Sequence, residues 1–202
     1  MSIIKLNNRS VKNVTSFGSI SSLGNFIHIA TQTASSSASI SFTTGIDSTY
    51  KEYIFYYIDM HPSATDVNGL TFQGDTGTNT NYNQQITSTY FRSSHDESGS
   101  NAEVAYQASQ DQANGTGFQN ISQNVGTDND QSCSGFLHLF NPSSSVFVKH
   151  FIARNNNAHQ SDKTRDVLCS GYFNTTTAIT RIQFKFSSGN IDSGQILLFG
   201  LN

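Results

Sequence analysis

The residues near the C-terminus show the clearest alternation of hydrophobic and polar positions in the chain. Apolar and polar side chains alternate along 181–186, where Ile182, Phe184 and Phe186 alternate with polar neighbours. A period of two is typical of a β-strand with one buried and one solvated face. A connector rich in Ser, Gly and Asn leads to a second apolar run at 195–199. These patterns predict two closing strands that tie the end of the chain into a core.

Similar patterns recur through the rest of the chain, and no segment has a convincing helical period of 3.6 residues. A short apolar run at 26–30 comes first. Further strands are predicted at 31–42, 50–60, 67–73, 85–92, 102–109, 136–140, 146–152 and 167–173. Their number and spacing predict an all-β fold, an antiparallel β-sandwich of jelly-roll-like type with eight to ten strands. The polar stretch 154–166 is predicted to be a loop.

Two of these segments carry more specific predictions. The run 50–60 is apolar on both faces in its middle, which favours a strand at the centre of a sandwich, ended by the proline at 62. The runs 136–140 and 146–152 flank a five-residue connector that begins with Asn141 and Pro142. A connector of this length and composition predicts a β-hairpin.

The chain divides into an irregular N-terminal arm, 1–25, and a sandwich domain, 26–202. The arm has apolar side chains without a sustained period, so we expect it to be ordered only by lying across another surface. Its candidate attachment residues are Ile3, Ile4, Leu6, Val11 and Phe17. The alternative is that Ile3, Ile4 and Leu6 add an edge strand to their own sandwich.

The amino-acid composition of the chain excludes some classes of function. Charged residues make up 12% of the 202 residues, about half the usual share, whereas aromatics reach 11%, which is enough to build a core. The net charge is −3, and the 11 Lys and Arg residues are scattered, so we expect no nucleic-acid partner. The first residues contain no apolar stretch of signal-peptide length, and no apolar run approaches the length of a membrane span. We therefore expect synthesis in a cytoplasm and no membrane insertion.

Catalytic motifs are scarce. His95, Asp96 and Glu97 are consecutive, but triads are built from separated segments, so a solvated loop is the better interpretation. The sequence contains no nucleophile elbow, phosphate loop or recognisable carboxylate pair. We expect a non-enzymatic protein without a cofactor.

Metal-binding motifs are equally weak. Asp128 and Asp130 place carboxylates at i and i+2 as calcium loops do, yet the Gly and Glu that complete such a loop are missing, so they are weak candidates. Cys133 and Cys169 lack zinc spacing and are expected to be buried apolar side chains. His138 and His150 lie on opposite arms of the hairpin and are expected to be half-buried histidines that are hydrogen-bonded in the core rather than a metal pair.

Several phrases of the sequence, taken together, resemble a known family. These are SIIKLNNRSVKNVTSFGSI, GIDSTYKEYIFYYIDMHPS, HLFNPSSSVFVKHFI, GYFNTTTAI and SSGNIDSGQILLFGL. They are similar to a family of small virion proteins of marine bacteriophages, and the resemblance covers almost the full length. It implies a structural role in a virion that is assembled in the host cytoplasm, with other virion proteins as partners.

The resemblance leaves three functions open. The first is an oligomeric tail or fibre protein, expected to be a trimer, that contributes to adsorption on host-surface glycans. The second is a head decoration protein that stabilises the capsid. In either of these roles, the N-terminal arm is expected to contact a neighbouring subunit or the virion. The third is a polysaccharide depolymerase, for which the sequence offers no carboxylate pair.

Overall fold

The computed structural model describes residues 26–64 and 69–201. The N-terminal arm, and with it the attachment residues Ile3, Ile4, Leu6, Val11 and Phe17, lies outside them. Within these ranges the chain forms twelve strands and no helix. The strands are β1 (Phe26–Thr33), β2 (Ile40–Phe42), β3 (Glu52–Pro62), β4 (Leu70–Thr76), β5 (Ile86–Asp96), β6 (Ala102–Tyr106), β7 (Gln119–Asn120), β8 (Cys133–Phe140), β9 (Lys149–His159), β10 (Lys163–Phe173), β11 (Ile179–Phe186) and β12 (Ile191–Leu201).

Two antiparallel sheets make up the fold. One has eight strands in the order β1-β12-β3-β8-β9-β10-β5-β6, and the other has four in the order β2-β11-β4-β7. The all-β class and the antiparallel sandwich predicted from the sequence are confirmed. The layers are unequal, so part of the large sheet is covered by loops instead of strands. Its inner face, towards the small sheet, carries the core, and we call the opposite face the outer face.

The two closing strands belong to different sheets. β11 lies between β2 and β4 in the small sheet, and β12 lies between β1 and β3 in the large one. The side chains of Ile182, Phe184 and Phe186 are at most 2% exposed, as the alternation predicted. The connector at 187–190 therefore crosses from one layer to the other, and the last strand is hydrogen-bonded on both sides.

The segment 31–42 is not one strand. β1 ends at Thr33, and β2 begins at Ile40 in the opposite sheet. Between them Ser36 has a φ of 47°, a left-handed conformation that interrupts an extended strand. The backbone N–H of Ser37 donates to the carbonyl of Ile191 at 2.8 Å. The alternation of small residues was wrongly interpreted as continuous, because alternation does not reveal a change of layer.

The stretch 154–166 is not a loop either. β9 continues to His159, a turn of three residues follows, and β10 begins at Lys163. The inward positions of β9 here are polar, namely Asn155, Asn157 and His159, and all are buried. Because polar residues occupy both faces, the strand period is invisible in a hydrophobicity pattern.

The hairpin prediction is confirmed in its pairing and corrected in its loop. β8 pairs with β9 antiparallel, with Leu139 opposite Phe151. The connection covers 141–148, longer than predicted, and leaves Val146 and Phe147 exposed at 69% and 67%. β3 ends at Pro62 as predicted and lies inside the large sheet between β12 and β8.

Candidate binding surface

The outer face of the large sheet carries a row of apolar side chains across seven adjacent strands. Strand register places them opposite one another from β12 to β6. The row consists of Leu197, Tyr56, Phe136, Arg154, Leu168, Phe91 and Tyr106. Neighbouring strands lie about 4.8 Å apart, so the row is roughly 29 Å long. Arg154, paired with Asp166 at 3.1 Å, is its one charged member.

At one end of the row, aromatic rings pack against each other. The ring of Tyr56 lies 5.9 Å from that of Phe199, 6.3 Å from that of Phe136 and 6.5 Å from that of Phe26. Phe26 is 51% exposed. The rings make edge-to-face and tilted contacts, so this part of the outer face is a continuous apolar surface.

At the other end, four exposed apolar side chains form what we call the edge patch: Phe91, Val104, Tyr106 and Leu168. Their exposures are 45%, 81%, 46% and 45%. The rings of Phe91 and Tyr106 are 5.0 Å apart. Val104 and Tyr106 belong to β6, the edge strand of the sheet. An apolar patch on an edge strand with an unpaired side is a typical contact surface for another chain.

A cleft of about 410 Å³ opens among β5, β8, β9 and β10. Phe140, His150 and Tyr172 are among its aromatic side chains, and hydroxyl groups come from Thr89 and Ser170 among others. The His150 and Tyr172 rings are 5.9 Å apart at 64°, and the two hydroxyls are 3.0 Å apart. We call this the aromatic cleft. Aromatic faces beside hydroxyl groups suit a ligand with both apolar and hydroxyl surfaces, such as a sugar ring.

A cluster of basic side chains lies on the inner face, where loops cover the large sheet. Arg165 is 4% exposed and Nη1 donates to the carbonyl oxygen of Gln123 at 3.4 Å and to its Oε1 at 3.3 Å. Arg92 donates to the same Oε1 at 2.9 Å and pairs with Glu103 at 2.8 Å. Burial, and then the nearby Arg92 cation, lowers the pKa of Arg165.

His159 belongs to the same cluster. Burial, followed by the charges of Arg165, Lys163 and Arg92, lowers the pKa of His159 to about 4. Its Nδ1 accepts a hydrogen bond from the backbone N–H of Ser161 at 3.0 Å. Both effects favour the neutral imidazole.

The consecutive residues His95, Asp96 and Glu97 do not form a catalytic arrangement. Asp96 accepts hydrogen bonds from the hydroxyls of Ser98 and Ser100 and from the backbone N–H of Ser100. Its carboxylate therefore organises the turn between β5 and β6. His95 is exposed on β5, and no bond joins its ring to that carboxylate in the described structure.

Asp128 and Asp130 lie in the loop before β8. The backbone N–H of Asp128 donates to Gln131 Oε1 at 3.2 Å, and Asp130 lines a cleft with Asp59 and Asp192. Among residues 26–64 and 69–201, no group of three or more His, Cys, Asp or Glu side chains is placed to hold a metal ion. The weak calcium candidates therefore gain no further ligands from the fold.

The two hairpin histidines lie on the outer face and not in the core. His138 bonds Glu52 at 2.9 Å, and its ring lies 4.1 Å from that of Phe140. Strand register places His138 opposite Ile152, one row away from His150. Each histidine therefore has its own partners, and only His150 contributes to the aromatic cleft.

The cysteines match their prediction. Cys133 and Cys169 are buried and not disulfide-bonded. Burial raises the pKa of the Cys133 thiol to about 12 and that of Cys169 above its usual range, so both thiols stay protonated.

Sequence reasoning missed the aromatic cleft, the edge patch and the basic cluster. Phe91 and Val104 were placed in strands, but a pattern of alternation does not say which face lies against the second sheet. Arg165 was missed because its strand was interpreted as a loop. A weak signal existed: both faces of 146–152 and 167–173 hold large apolar residues, more than a single core requires.

No protein family, curated protein or solved structure matches this chain. Residues 26–64 and 69–201 also contain no helix that could cross a membrane.

Proposed function

We propose that this chain is a non-enzymatic virion structural protein, a tail or fibre component that assembles as a homotrimer and contributes to adsorption on host-surface glycans. The observation that carries the proposal is the outer face, where aromatic and aliphatic side chains remain exposed on a continuous, hydrogen-bonded sheet. The family resemblance of the sequence supports the virion setting.

The edge patch supports assembly. Val104 is 81% exposed on a strand whose outer edge is unpaired in the described structure, and three further apolar side chains adjoin it. A second copy of the chain would bury these side chains and cover the open edge. Other virion proteins are the alternative partners of this patch.

The aromatic cleft supports adsorption. Both sites use outward-facing residues of β10: Leu168 belongs to the edge patch and Tyr172 to the aromatic cleft. One outward-facing residue, Ser170, lies between them. At about 6.8 Å per pair of residues, the two sites are roughly 14 Å apart. An oligomer joined at the edge patch can therefore leave the cleft accessible to a neutral sugar, which would stack on Tyr172 and Phe140.

Light scattering of the purified protein tests assembly. We expect a trimer at micromolar concentration, and Val104→Lys should shift it to monomer because it places a charge in an apolar contact. Val146→Lys is the matched control, since Val146 is comparably exposed but lies in the β8–β9 loop. A wild-type protein that is only monomeric would contradict the assembly proposal.

Binding to an array of neutral oligosaccharides tests adsorption. Tyr172→Ala should weaken binding by at least about tenfold, the loss of roughly one stacking contact. Phe26→Ala, an exposed aromatic outside the cleft, should leave binding unchanged. Equal losses in both variants, or no glycan binding by the wild type, would remove the adsorption role and leave the structural role standing.

The alternative virion role is head decoration, for which the same apolar face would contact capsid subunits. The number of copies per virion separates the two roles, because a tail component is present in tens of copies and a decoration protein in hundreds. Localisation by electron microscopy of particles decides between them.

A further inference from the structure

Buried side-chain atoms without a hydrogen-bond partner concentrate at one place in the described structure. Across residues 26–64 and 69–201 there are five such atoms, and all belong to β5, β9, β10 or the turn after β9. They are Tyr90 Oη, Arg92 Nε, Asn155 Oδ1, Gln160 Oε1 and Arg165 Nε. Buried polar groups are normally paired, so a cluster of unpaired ones calls for a further partner, such as ordered water or an ion.

Strand register brings four of these side chains around Val167. Arg92 and Asn155 are the direct partners of Val167 on either side, Tyr90 is two residues along β5, and Arg165 is two residues along β10. All four project from the inner face of the sheet. Their unpaired atoms are three donors, two guanidinium N–H groups and a phenol, and one amide acceptor.

The charge in this region is unbalanced. Arg92, Arg165 and Lys163 are cations, and Glu103, which pairs with Arg92, is the one carboxylate that contacts them among the described residues. Leaving a second guanidinium buried without a counter-charge is strongly unfavourable. An anion between the two arginines would restore the balance.

We propose that Arg92, Arg165 and Tyr90 form an internal binding site for a phosphate group. Paired arginines match the geometry of tetrahedral oxyanions and bind them by charge-assisted hydrogen bonds. Burial raises the pKa of Tyr90, so its phenol stays protonated and donates. Hydrogen phosphate also carries an O–H that Asn155 Oδ1 accepts, whereas sulfate at neutral pH has none. This inference does not depend on the virion role.

The site binds a phosphate group, which the free ion and a phosphate monoester have in common. Arg165 is 4% exposed, but the side chain of Arg92 is 17% exposed and marks the side from which a ligand enters. A substituent on the phosphate would have to leave past Arg92.

Calorimetric titration with inorganic phosphate, sulfate and glycerol 1-phosphate, in chloride at constant ionic strength, tests the site. We expect saturable phosphate binding, weaker sulfate binding and a rise in Tm with phosphate. Arg165→Gln and Arg92→Gln should each weaken phosphate binding by at least about tenfold. Arg154→Gln is the matched control, because Arg154 is 63% exposed on the outer face and should leave binding unchanged.

Titration of His159 by NMR is a second readout. A phosphate bound beside Arg165 would raise the pKa of this imidazole in the wild type. In Arg92→Gln, phosphate should leave that pKa unchanged. That variant keeps the test valid if Arg165→Gln does not fold. Binding of glycerol 1-phosphate would identify a monoester as the ligand, and its exclusion would identify the free ion. No phosphate binding by the wild type, equal binding of sulfate, or an equal loss in Arg154→Gln would overturn the proposal.

Discussion

Phe184 of β11 and Phe55 of β3 contact each other across the two layers of the sandwich, with ring centroids 5.5 Å apart and ring planes at 57°. Both side chains are fully buried. Phe42 of β2 completes the cluster, 5.2 Å from Phe55 and 6.5 Å from Phe184. The strand with the clearest sequence pattern thus supplies a central contact between the two sheets.

Replacing Phe184 by Ala should lower the free energy of unfolding by about 3–5 kcal/mol, because it removes a buried ring and leaves a cavity. Urea unfolding monitored by circular dichroism measures the change. Phe147→Ala, at a residue that is 67% exposed, should change stability by less than about 0.5 kcal/mol. A loss below about 1 kcal/mol for Phe184→Ala would mean that the inward face of β11 is wrongly assigned.

Adding a methyl group at Gly135 should destabilise the protein by about 3 kcal/mol or more. A Cβ there would lie 2.1 Å from the carbonyl oxygen of Arg154 and 2.7 Å from the hydroxyl of Tyr57, and backbone cannot move aside without separating β8 from β9. Gly117→Ala is the control, because the nearest atom would be 4.0 Å away. Similar Tm values for the two variants would contradict the packing described around Gly135.

Stability should fall as the solution is acidified, and His159 should be one cause. Its pKa is about 4 in the folded protein and about 6.5 in an unfolded chain. Between these values the unfolded state binds more protons, so the free energy of unfolding decreases as pH falls from about 6.5 to about 4. The contribution is at most about 3 kcal/mol, and it is fully present above pH 6.5.

Urea unfolding at several pH values in a phosphate-free buffer measures this dependence. His159→Gln should reduce the slope between pH 6.5 and 4, whereas His95→Gln, at an exposed histidine, should leave it intact. If both variants keep the wild-type slope, protons bound by carboxylates account for the dependence and the assignment to His159 is wrong.

Deleting residues 2–20 separates the two interpretations of the N-terminal arm. If the arm only attaches the protein to a neighbouring subunit or to the virion, Tm should be unchanged. If the arm is an attachment device, the truncated protein should also fail to join virions in an assembly assay. A large loss of Tm would instead show that the arm completes the sandwich, as in the edge-strand alternative.

Much of the local structure could be predicted from the sequence. The period of two along 181–186 identified both the strand and its buried face, because a side chain on a strand has only two directions to take. The hairpin around Asn141 followed from turn chemistry. Burial of Cys133 and Cys169 followed from their positions in apolar strands.

Other features depended on which residues meet in three dimensions. Ser36 turns the chain from one sheet to the other, and the polar inward side chains Asn155 and Asn157 are buried only because loop residues cover that part of the large sheet. Alternation reports two faces of a strand but not which one faces the second layer. The sequence by itself therefore determined the all-β class and most strands. Only the tertiary structure decided that Phe91 and Tyr172 face outwards and that Arg92 and Arg165 meet. Both facts depend on pairing between strands that are far apart in the chain.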